Sequence, residues 1–448
     1  MGARPLKNRA YIRLLQFVYN LVYLVILILI SPFLIFKLFT SPKHRAGLVQ
    51  RMGILGAWPD RGPRIWIHGV SVGEVLAARS LVDVLERELP GHEVVISTTT
   101  KTGQEVARKH YPGHRVFYYP LDFSWVTRRV LRRVKPQAVI LMELEIWPNF
   151  LLSTSAVDVP VLLVNGRISA HSFRRYKILQ RVIPEPLDRI FIYCVQTRTY
   201  RERFLELGVP PDRVHVTGTM KFDIINTDGV DAVRREVRAE LGIAEQERVL
   251  LAGSTHPTEE ATLYDLFLKL VARHPEYRLI VVPRHPERLD EVEGMLVGRG
   301  APVARKTALG NGAAAGERPV ILVDTMGELA RIYAASDIAF VGGSLFPHGG
   351  QNMMEPAGLG RAVVFGPHIQ NFQESVDILL DDDAAKLVQD AGELREVVLA
   401  LAADPEGAEA MGARARRIVI EHKGASERIM DMIRPHFSAS EKAGQGQA

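Results

Sequence analysis

Short apolar runs alternate with longer amphipathic stretches along most of the chain, and this alternation constrains the fold more than any other feature of the sequence. The first series of runs reads RIWIHG, HEVVISTTT, HRVFYYPLD, QAVILMELE, VPVLLVNGR and IFIYCVQ, and the second reads ERVLLAGST, YRLIVVPRH, PVILVDTM, IAFVGGS and AVVFGPH. The runs are short and rich in valine and isoleucine, as buried strands are. Because helical stretches separate them, the pattern predicts an α/β protein with two doubly wound parallel sheets in tandem.

Composition agrees with a large packed chain and narrows its class. Hydrophobic residues make up 47% and charged residues 24% of the 448 residues, which are ordinary globular proportions. The single cysteine, Cys194, cannot form an internal disulfide or a cysteine-based zinc site. The net charge of +5 suits an anionic membrane surface or anionic substrates, and it does not predict a nucleic-acid partner.

An uncharged stretch near the N-terminus, from Leu14 to Phe36, predicts a membrane anchor. It is long enough to cross a hydrocarbon core, which takes ~20 residues. A signal peptide would have an apolar part of only ~7–15 residues, so a retained anchor is the better interpretation. Arg13 precedes the stretch and Lys37 follows it. Since both flanks are basic, a spanning helix and a helix lying in one leaflet both remain open.

Changes of pattern predict the domain boundaries. Residues 1–45 form the anchor and its basic flank, 46–222 a first α/β domain, 223–240 a linker and 241–420 a second α/β domain. The last stretch, 438–448, is small and polar and predicts a disordered tail.

The segment HGVSVGE follows the first strand of the first domain. Two glycines bracket a tight turn, and Glu74 then falls in the first turn of the next helix, where the helix dipole favours a carboxylate. Such a carboxylate can act as a general base if a hydroxyl lies within hydrogen-bond reach. A helix-capping glutamate is the alternative, and the spacing alone does not choose between them.

Two further segments of the first domain carry charge. Glu143 and Glu145 in MELEIWPN lie two apart and share one face if the chain is extended, which suits acid/base work or cation binding. Helix capping or pairing with an arginine is the alternative. Arg167, Arg174 and Arg175 lie among aromatic and hydroxyl side chains, and they suit either the phosphates of an acceptor or a solvated helix face.

The second domain offers candidate anion-binding residues. Ser254 lies in a Gly-Ser turn that opens a helix, a typical phosphate site, with Thr255 or Thr258 as the expected cap. Arg284 ends a strand, where it can clamp a phosphate, and His285 adds a donor. Pure capping and a structural salt bridge are the respective alternatives.

The densest signal is glycine-rich. Gly342 and Gly343 are expected to let backbone amides approach a ligand closely, and His348 lies in the Pro-His-Gly-Gly turn that follows. Asn352 and Glu355 are three residues apart, hence on one face if the segment is helical. A glutamate there can accept hydrogen bonds from ribose hydroxyls.

In order and spacing, these motifs resemble those of the 3-deoxy-D-manno-octulosonic acid (Kdo) transferases of lipid A biosynthesis. The segments that carry the resemblance are HGVSVGE, MELEIWPN, NGRIS with SFRRY, GSTHPTEE, VPRHPER and FVGGSLFPHGGQNMMEPA. The resemblance implies a GT-B glycosyltransferase: two facing Rossmann-like domains with an N-terminal membrane helix. It also implies inverting transfer of Kdo from CMP-Kdo to a hydroxyl of the tetraacyl lipid A precursor, without a bound metal or a cofactor.

The resemblance also implies residue roles. Glu74 matches the proposed catalytic base, while Arg284, Gly343, Glu355 and the segments Asp324–Leu329 and Pro347–Asn352 match positions around the nucleotide. The motifs described above and the resemblance together predict a set of donor-binding residues: Ser254, Arg284, His285, Met326, Gly327, Gly343, His348, Asn352 and Glu355. The predicted acceptor-side set is Glu143, Glu145, Arg167, Arg174 and Arg175. The family has threonine where this chain has Leu144, a departure that keeps both flanking acids.

The resemblance completes the prediction with location and partners. A helix over residues 421–437 is expected to pack back onto the first, acceptor-binding domain, and the second domain is expected to bind the CMP-sugar. The expected setting is the phospholipid surface of the bacterial inner membrane, with a single anchor and the catalytic domains facing the cytoplasm. Whether the chain has protein partners is left open. The alternatives are another membrane-associated GT-B enzyme that uses a UDP-sugar and a lipid acceptor, and a non-catalytic nucleotide- or lipid-binding module.

Overall fold

A computed structural model describes residues 9–40, 45–59, 61–182, 185–309, 318–370 and 372–444. The chain divides into two compact units, one of Met1–Ile224 with Lys423–Ala448 and the other of Ile225–His422. They are called unit 1 and unit 2 below, and each contains its own parallel sheet.

Unit 1 alternates strands with helices. Its strands are β1 (Arg64–Gly69), β2 (Glu93–Thr98), β3 (Arg115–Tyr118), β4 (Pro136–Met142), β5 (Val161–Gly166), β6 (Ile190–Val195) and β7 (Val214–Val216). Its helices are α1 (Arg9–Thr40), α2 (Leu48–Arg51), α3 (Val72–Glu88), α4 (Lys101–His110), α5 (Ser124–Val134), α6 (Pro148–Ser155), α7 (Ala170–Val182), α8 (Glu185–Asp188) and α9 (Arg198–Glu206), with α18 (Ala425–Gly444) at the end of the chain. A 3-10 turn covers Pro211–Arg213.

Unit 2 repeats the pattern. Its strands are β8 (Arg248–Thr255), β9 (Tyr277–Pro283), β10 (Val303–Arg305), β11 (Val320–Leu322), β12 (Ile338–Val341), β13 (Ala362–Phe365) and β14 (Ala385–Leu387). Its helices are α10 (Val230–Glu240), α11 (Glu259–Val271), α12 (Leu289–Gly298), α13 (Leu329–Ile332), α14 (Met354–Gly358), α15 (Gln373–Asp381), α16 (Ala391–Ala403) and α17 (Pro405–His422). Further 3-10 turns cover Pro286–Arg288, Lys306–Ala308 and Tyr333–Ala335.

The strand orders confirm the predicted fold class. The first sheet runs β3-β2-β1-β4-β5-β6-β7 and the second β10-β11-β9-β8-β12-β13-β14, with parallel pairing throughout. Each central strand is buried along most or all of its length, which explains why the apolar runs are nearly continuous. In such sheets ligands bind beyond the carboxyl ends of the strands where the order reverses. The loops after β1 and β4, and after β8, β9 and β12, are therefore the places to look for a site.

Several predicted boundaries need correction. The three-residue strands β7, β10 and β14 were not predicted, because so short an edge strand leaves too little apolar pattern. Much of the predicted linker 223–240 is α10, which begins after Gly229 at a φ of 60°. Helix α18 runs to Gly444, so most of the predicted disordered tail is helical, and the final residues 445–448 lie outside the described part.

The apolar stretch near the N-terminus forms most of α1, and within it Ala10–Phe33 is long and apolar enough to cross a membrane. Its first half also docks on unit 1 through polar side chains along one face. The bonded pairs are Gln16 Nε2 to Ser153 Oγ (3.1 Å), Asn20 Nδ2 to Ser124 Oγ (2.8 Å) and Tyr23 OH to Asp122 Oδ2 (3.0 Å). The second half exposes large apolar side chains, such as Leu29 at 74%. The helix therefore combines a protein-docking face with a surface suited to lipid.

Candidate active site

Glu74 occupies the first turn of α3, as the sequence predicts, and completes a capping box there. Its carboxylate accepts from the backbone N–H groups of Val70 (2.9 Å) and Ser71 (3.2 Å), while its own N–H donates to Ser71 Oγ (3.2 Å). The residue is only 7% exposed. The capping interpretation is thus realised in the fold. Because an ionised carboxylate has about four acceptor positions, the box leaves roughly two of them for another donor.

The loop after β4 brings more charge to the same region of unit 1. Glu143 adopts a φ of 55°, so the chain is not extended there, and the condition under which Glu143 and Glu145 were expected to share one face is not met. Glu145 nevertheless lies close enough for the charges of Glu74 and Glu143 to raise its pKa. Lys221 is half-buried in the same region. Burial lowers the pKa of its ammonium group, and the negative charges of Glu143 and Glu74 oppose this shift. Sequence reasoning missed Lys221, which follows β7 in a short TGTMKFD segment with no strong motif.

The carboxyl of Glu145 has a raised pKa. Burial, and secondarily the charge of Glu74, raises its pKa to about 7, while the Trp147 indole N–H donates to it at 2.9 Å and opposes the rise. The folded protein therefore binds this proton more tightly than the unfolded chain, in which the pKa is near 4.5. Stability is lost as the pH rises from about 4.5 through 7, because ionisation then costs more in the folded state.

We expect Glu145→Gln to remove this dependence. The amide keeps an oxygen for the Trp147 N–H but carries no charge, so the variant should be more stable than the parent by about 2 kcal/mol at about pH 8.5 and by little at about pH 5. Thermal unfolding of both proteins at the two pH values measures the difference. Glu105→Gln, at an exposed carboxylate of α4, is the matched control and should show no such trend. An equal effect of Glu145→Gln at both pH values would contradict the assignment.

The predicted basic residues lie on and before α7. Arg174 and Arg175 are exposed on this helix, and Arg167 lies half-buried in the loop after β5. Arg167 adds positive charge near Lys221. The acceptor-side candidates are thus all in unit 1, with the carboxylates at the strand ends and two of the arginines on the adjoining helix.

In unit 2, a pocket of about 270 Å³ gathers six of the nine predicted donor-binding residues. They are Ser254, Arg284, Met326, Gly327, Asn352 and Glu355. Ser254 has a φ of 54° at a register shift in β8, so a bulge sets the end of that strand. Gly327 has a φ of 85°, a conformation that glycine adopts without strain. The pocket sits where β8, β9 and the loop before α14 come together.

Charge and hydrogen bonding in this pocket suit a nucleotide phosphate and a ribose. Arg284 is exposed and makes no ion pair with any described residue, so the structural salt bridge weighed as an alternative is absent in this part of the chain. Burial raises the pKa of Glu355, which Arg284 and a 3.1 Å bond from Asn352 Nδ2 both oppose. Asn352 Oδ1 also accepts from the Met354 N–H at 3.1 Å, so Asn352 fixes the start of α14.

The other predicted donor residues surround His256, which the sequence analysis did not select. Its ring stacks on His348 at 4.2 Å between centroids and meets His285 edge-on at 5.5 Å, and its side chain lies against Gly343. Burial, and then the neighbouring His348 and His285, lowers the pKa of His256 to about 4. His256 is therefore neutral at physiological pH. The only feature of the sequence that could have identified His256 as a site residue is its position within the GSTHPTEE segment.

The glycine-rich turn after β12 works differently from the expectation. Neither of the two amides that were expected to approach a ligand is free. The Gly342 N–H donates to the Gly253 carbonyl at 2.8 Å, and the Gly343 N–H donates to the buried carboxylate of Glu259. Its oxygens accept from the N–H groups of Gly343 (2.8 Å), His256 (2.9 Å), Leu345 (3.1 Å) and Ser344 (3.2 Å). Neither of the two threonines expected as caps acts as one. The Thr258 hydroxyl donates to the Pro257 carbonyl, and the buried Thr255 hydroxyl has no hydrogen-bond partner among the described residues.

Comparisons with known proteins point to one family of transferases. The profile of the 3-deoxy-D-manno-octulosonic-acid transferase family matches residues 44–224. A curated 3-deoxy-D-manno-octulosonic acid transferase of Haemophilus influenzae is 33% identical over 89% of this chain and 93% of its own length. One from Bordetella pertussis is 35% identical over 86% of this chain and 89% of its own.

A solved structure supports the fold alone. A putative UDP-N-acetylglucosamine 2-epimerase from Listeria monocytogenes superimposes with a TM-score of 0.54 at 14% identity, covering 84% of this chain and 97% of that one. The two curated transferases are much closer in sequence and extend over nearly all of both chains. From their identity and coverage, this chain belongs to the 3-deoxy-D-manno-octulosonic acid transferase family and is a glycosyltransferase.

Proposed function

We propose that the protein transfers Kdo from CMP-Kdo to a hydroxyl of the tetraacyl lipid A precursor, with inversion at the anomeric carbon. The main support for CMP-Kdo as the donor is the pocket in unit 2, where Arg284, Asn352 and Glu355 lie together. A guanidinium suits the CMP phosphate, and a carboxylate with an amide suits ribose hydroxyls. The donor proposal needs no metal, because Arg284 supplies the positive charge that balances the departing phosphate.

On the acceptor side, we propose Glu74 as the general base. The acceptor hydroxyl attacks the anomeric carbon of Kdo, the bond from that carbon to the CMP phosphate oxygen breaks, and the hydroxyl proton passes to Glu74. The acceptor positions that the capping box leaves on the carboxylate are the ones that would take this proton. Glu143, Glu145 and the arginines of unit 1 would then position the sugar phosphates and hydroxyls of the acceptor.

The test uses the purified full-length chain in detergent or nanodiscs. Incubation with CMP-Kdo and the tetraacyl precursor should give a product heavier by one or more Kdo residues in mass spectrometry, and the series of masses counts the residues added. NMR of the new glycosidic bond then distinguishes inversion from retention. A UDP-sugar supplied in place of CMP-Kdo serves as the control. Transfer from the UDP-sugar, with none from CMP-Kdo, would overturn the proposal.

We also propose that α1 anchors the enzyme in the bacterial inner membrane with both units on the cytoplasmic side. The exposed apolar side chains of its second half and the basic residues beside it support this location. Fractionation and protease treatment of sealed inverted vesicles test it, because a cytoplasm-facing enzyme is digested there and is protected in right-side-out spheroplasts. The opposite pattern would reverse the orientation.

A further inference from the structure

A second and larger cavity lies wholly within unit 1. It measures about 660 Å³, within the range of ~300–1,000 Å³ that small-molecule sites occupy. Its walls come from α1, from the loop after β4 and the start of α6, and from α7 and α8, and they are mostly apolar. Among the lining side chains are Tyr19, Tyr23, Leu144, Ile146 and Ile178. The function proposed above gives a role to Arg175, which lines the cavity, but none to the apolar space itself.

One wall of the cavity belongs to the predicted anchor. Tyr19 and Tyr23 project from α1 into it, and the residues one turn further along the same side of the helix are exposed and apolar, namely Val22 at 48% and Ile26 at 46%. An apolar surface suited to the bilayer is therefore continuous, around one helix, with the apolar lining of the cavity. A hydrocarbon chain could pass from the membrane into the cavity without being transferred through water, which would cost about 0.8 kcal/mol per CH₂.

The rim of the cavity is polar and cationic on one side. Arg175 and Ser172 line it, and Arg174 is exposed next to them on α7. A site with apolar walls and a guanidinium at its rim is complementary to a molecule with a hydrocarbon tail and an anionic or hydroxyl-rich head. A small water-soluble metabolite would match only the rim.

The cavity also adjoins the carboxylates. Leu144 and Ile146, which line it, flank Glu145, and the charge of Glu74 acts on Glu145. A lipid whose tail lies in the cavity therefore has its head group beside the carboxylates of unit 1. This position favours the acceptor glycolipid, whose head group reacts beside the carboxylates, over a bulk phospholipid, whose head group takes no part in the reaction.

We propose that this cavity binds one acyl chain of the glycolipid acceptor. The inference rests on the proposed function and extends it, because it assigns part of acceptor recognition to the anchor helix itself. Helix α1 then does more than hold the enzyme at the membrane: through Tyr19 and Tyr23 it forms one wall of the substrate site.

Photo-crosslinking of the full-length protein in nanodiscs tests the occupancy directly. The probe is the acceptor glycolipid with a diazirine in one acyl chain, and we expect labelled peptides from α1 and from the loop that carries Ile146. A phosphatidylglycerol with the same diazirine chain is the second arm. Labelling by the glycolipid that excess unlabelled glycolipid suppresses supports the proposal. Labelling by the phospholipid alone, or by neither probe, overturns it.

Filling the cavity provides a second test. Ile178→Trp, at the exposed end of the lining, should lower the ratio of kcat/KM for the acylated acceptor over its deacylated form by about tenfold or more, the loss expected when a chain is displaced from an apolar site. Leu268→Trp, at an exposed leucine of α11 in unit 2, is the matched control and should leave the ratio unchanged. Thermal unfolding checks that both variants fold.

The two proposals fail in different ways. If the parent protein transfers Kdo to neither acceptor, the proposed function is wrong. If the parent transfers Kdo and Ile178→Trp keeps the parental ratio, only the acyl-chain site is wrong.

Discussion

Glu74→Gln should lower kcat for Kdo transfer by about 10²–10⁴-fold, the range that loss of a general base produces. Glutamine at the third helical position still accepts from a backbone N–H of the box, so it preserves much of the cap that Glu74 forms with Ser71. It cannot accept the proton of the acceptor hydroxyl. Initial rates under saturating CMP-Kdo and acceptor, followed by mass spectrometry, measure the effect. The melting temperature should change little.

A variant of the cap separates this role from a structural one. Ser71→Ala removes the hydroxyl that accepts from the Glu74 N–H and should cost about 1 kcal/mol of stability while leaving the carboxylate in place. We therefore expect Ser71→Ala to lose stability but keep most of its turnover, the reverse of Glu74→Gln. Glu74→Ala would combine both losses and is the less informative variant. If Glu74→Gln retains near-parental turnover, the base is another group, and Glu145, with its pKa of about 7, becomes the first candidate.

Much of the fold followed from local patterns in the sequence. The alternation of apolar runs and helical stretches is a property of neighbouring residues, and it was enough to predict two parallel sheets. The donor pocket was largely predictable for a related reason. Ser254 and Arg284 end adjacent parallel strands, and such ends meet at one edge of a sheet. Short edge strands such as β14 were not predictable, because three residues carry almost no periodicity.

What the sequence did not reveal depends on contacts between distant residues. The docking of α1 joins Tyr23 to Asp122, and no local pattern in an apolar run predicts which face will meet a soluble domain. Lys221 joins the carboxylates of unit 1 only because the segment after β7 lies near them. In the sequence, Glu259 looks like an ordinary glutamate in the first turn of a helix. Its hydrogen-bond donors include the N–H groups of Ser344 and Leu345, which lie far along the chain.

Glu259→Gln should destabilise unit 2 by about 3 kcal/mol or more, a large effect for an isosteric change. The carboxylate is fully buried, and all four of its hydrogen bonds come from backbone N–H groups. Glutamine offers one oxygen, and its NH₂ group would face two of those donors. Each buried donor left unpaired costs ~1–3 kcal/mol. Because the donors belong to the segments that carry His256 and Gly343, the affinity for CMP should also fall by at least about tenfold.

Calorimetric unfolding and titration with CMP measure the two effects on one preparation. Glu396→Gln, at an exposed glutamate of α16 in the same unit, is the matched control and should leave both values unchanged. Burial raises the pKa of Glu259, and the N–H donors, led by that of Gly343, oppose the rise. If burial prevailed and Glu259 were protonated in the folded protein, its O–H would already face one of the N–H donors. Glutamine would then replace the carboxyl group at little cost in stability. A variant as stable as the parent, with normal CMP affinity, would therefore show that the turn is not held by an ionised Glu259.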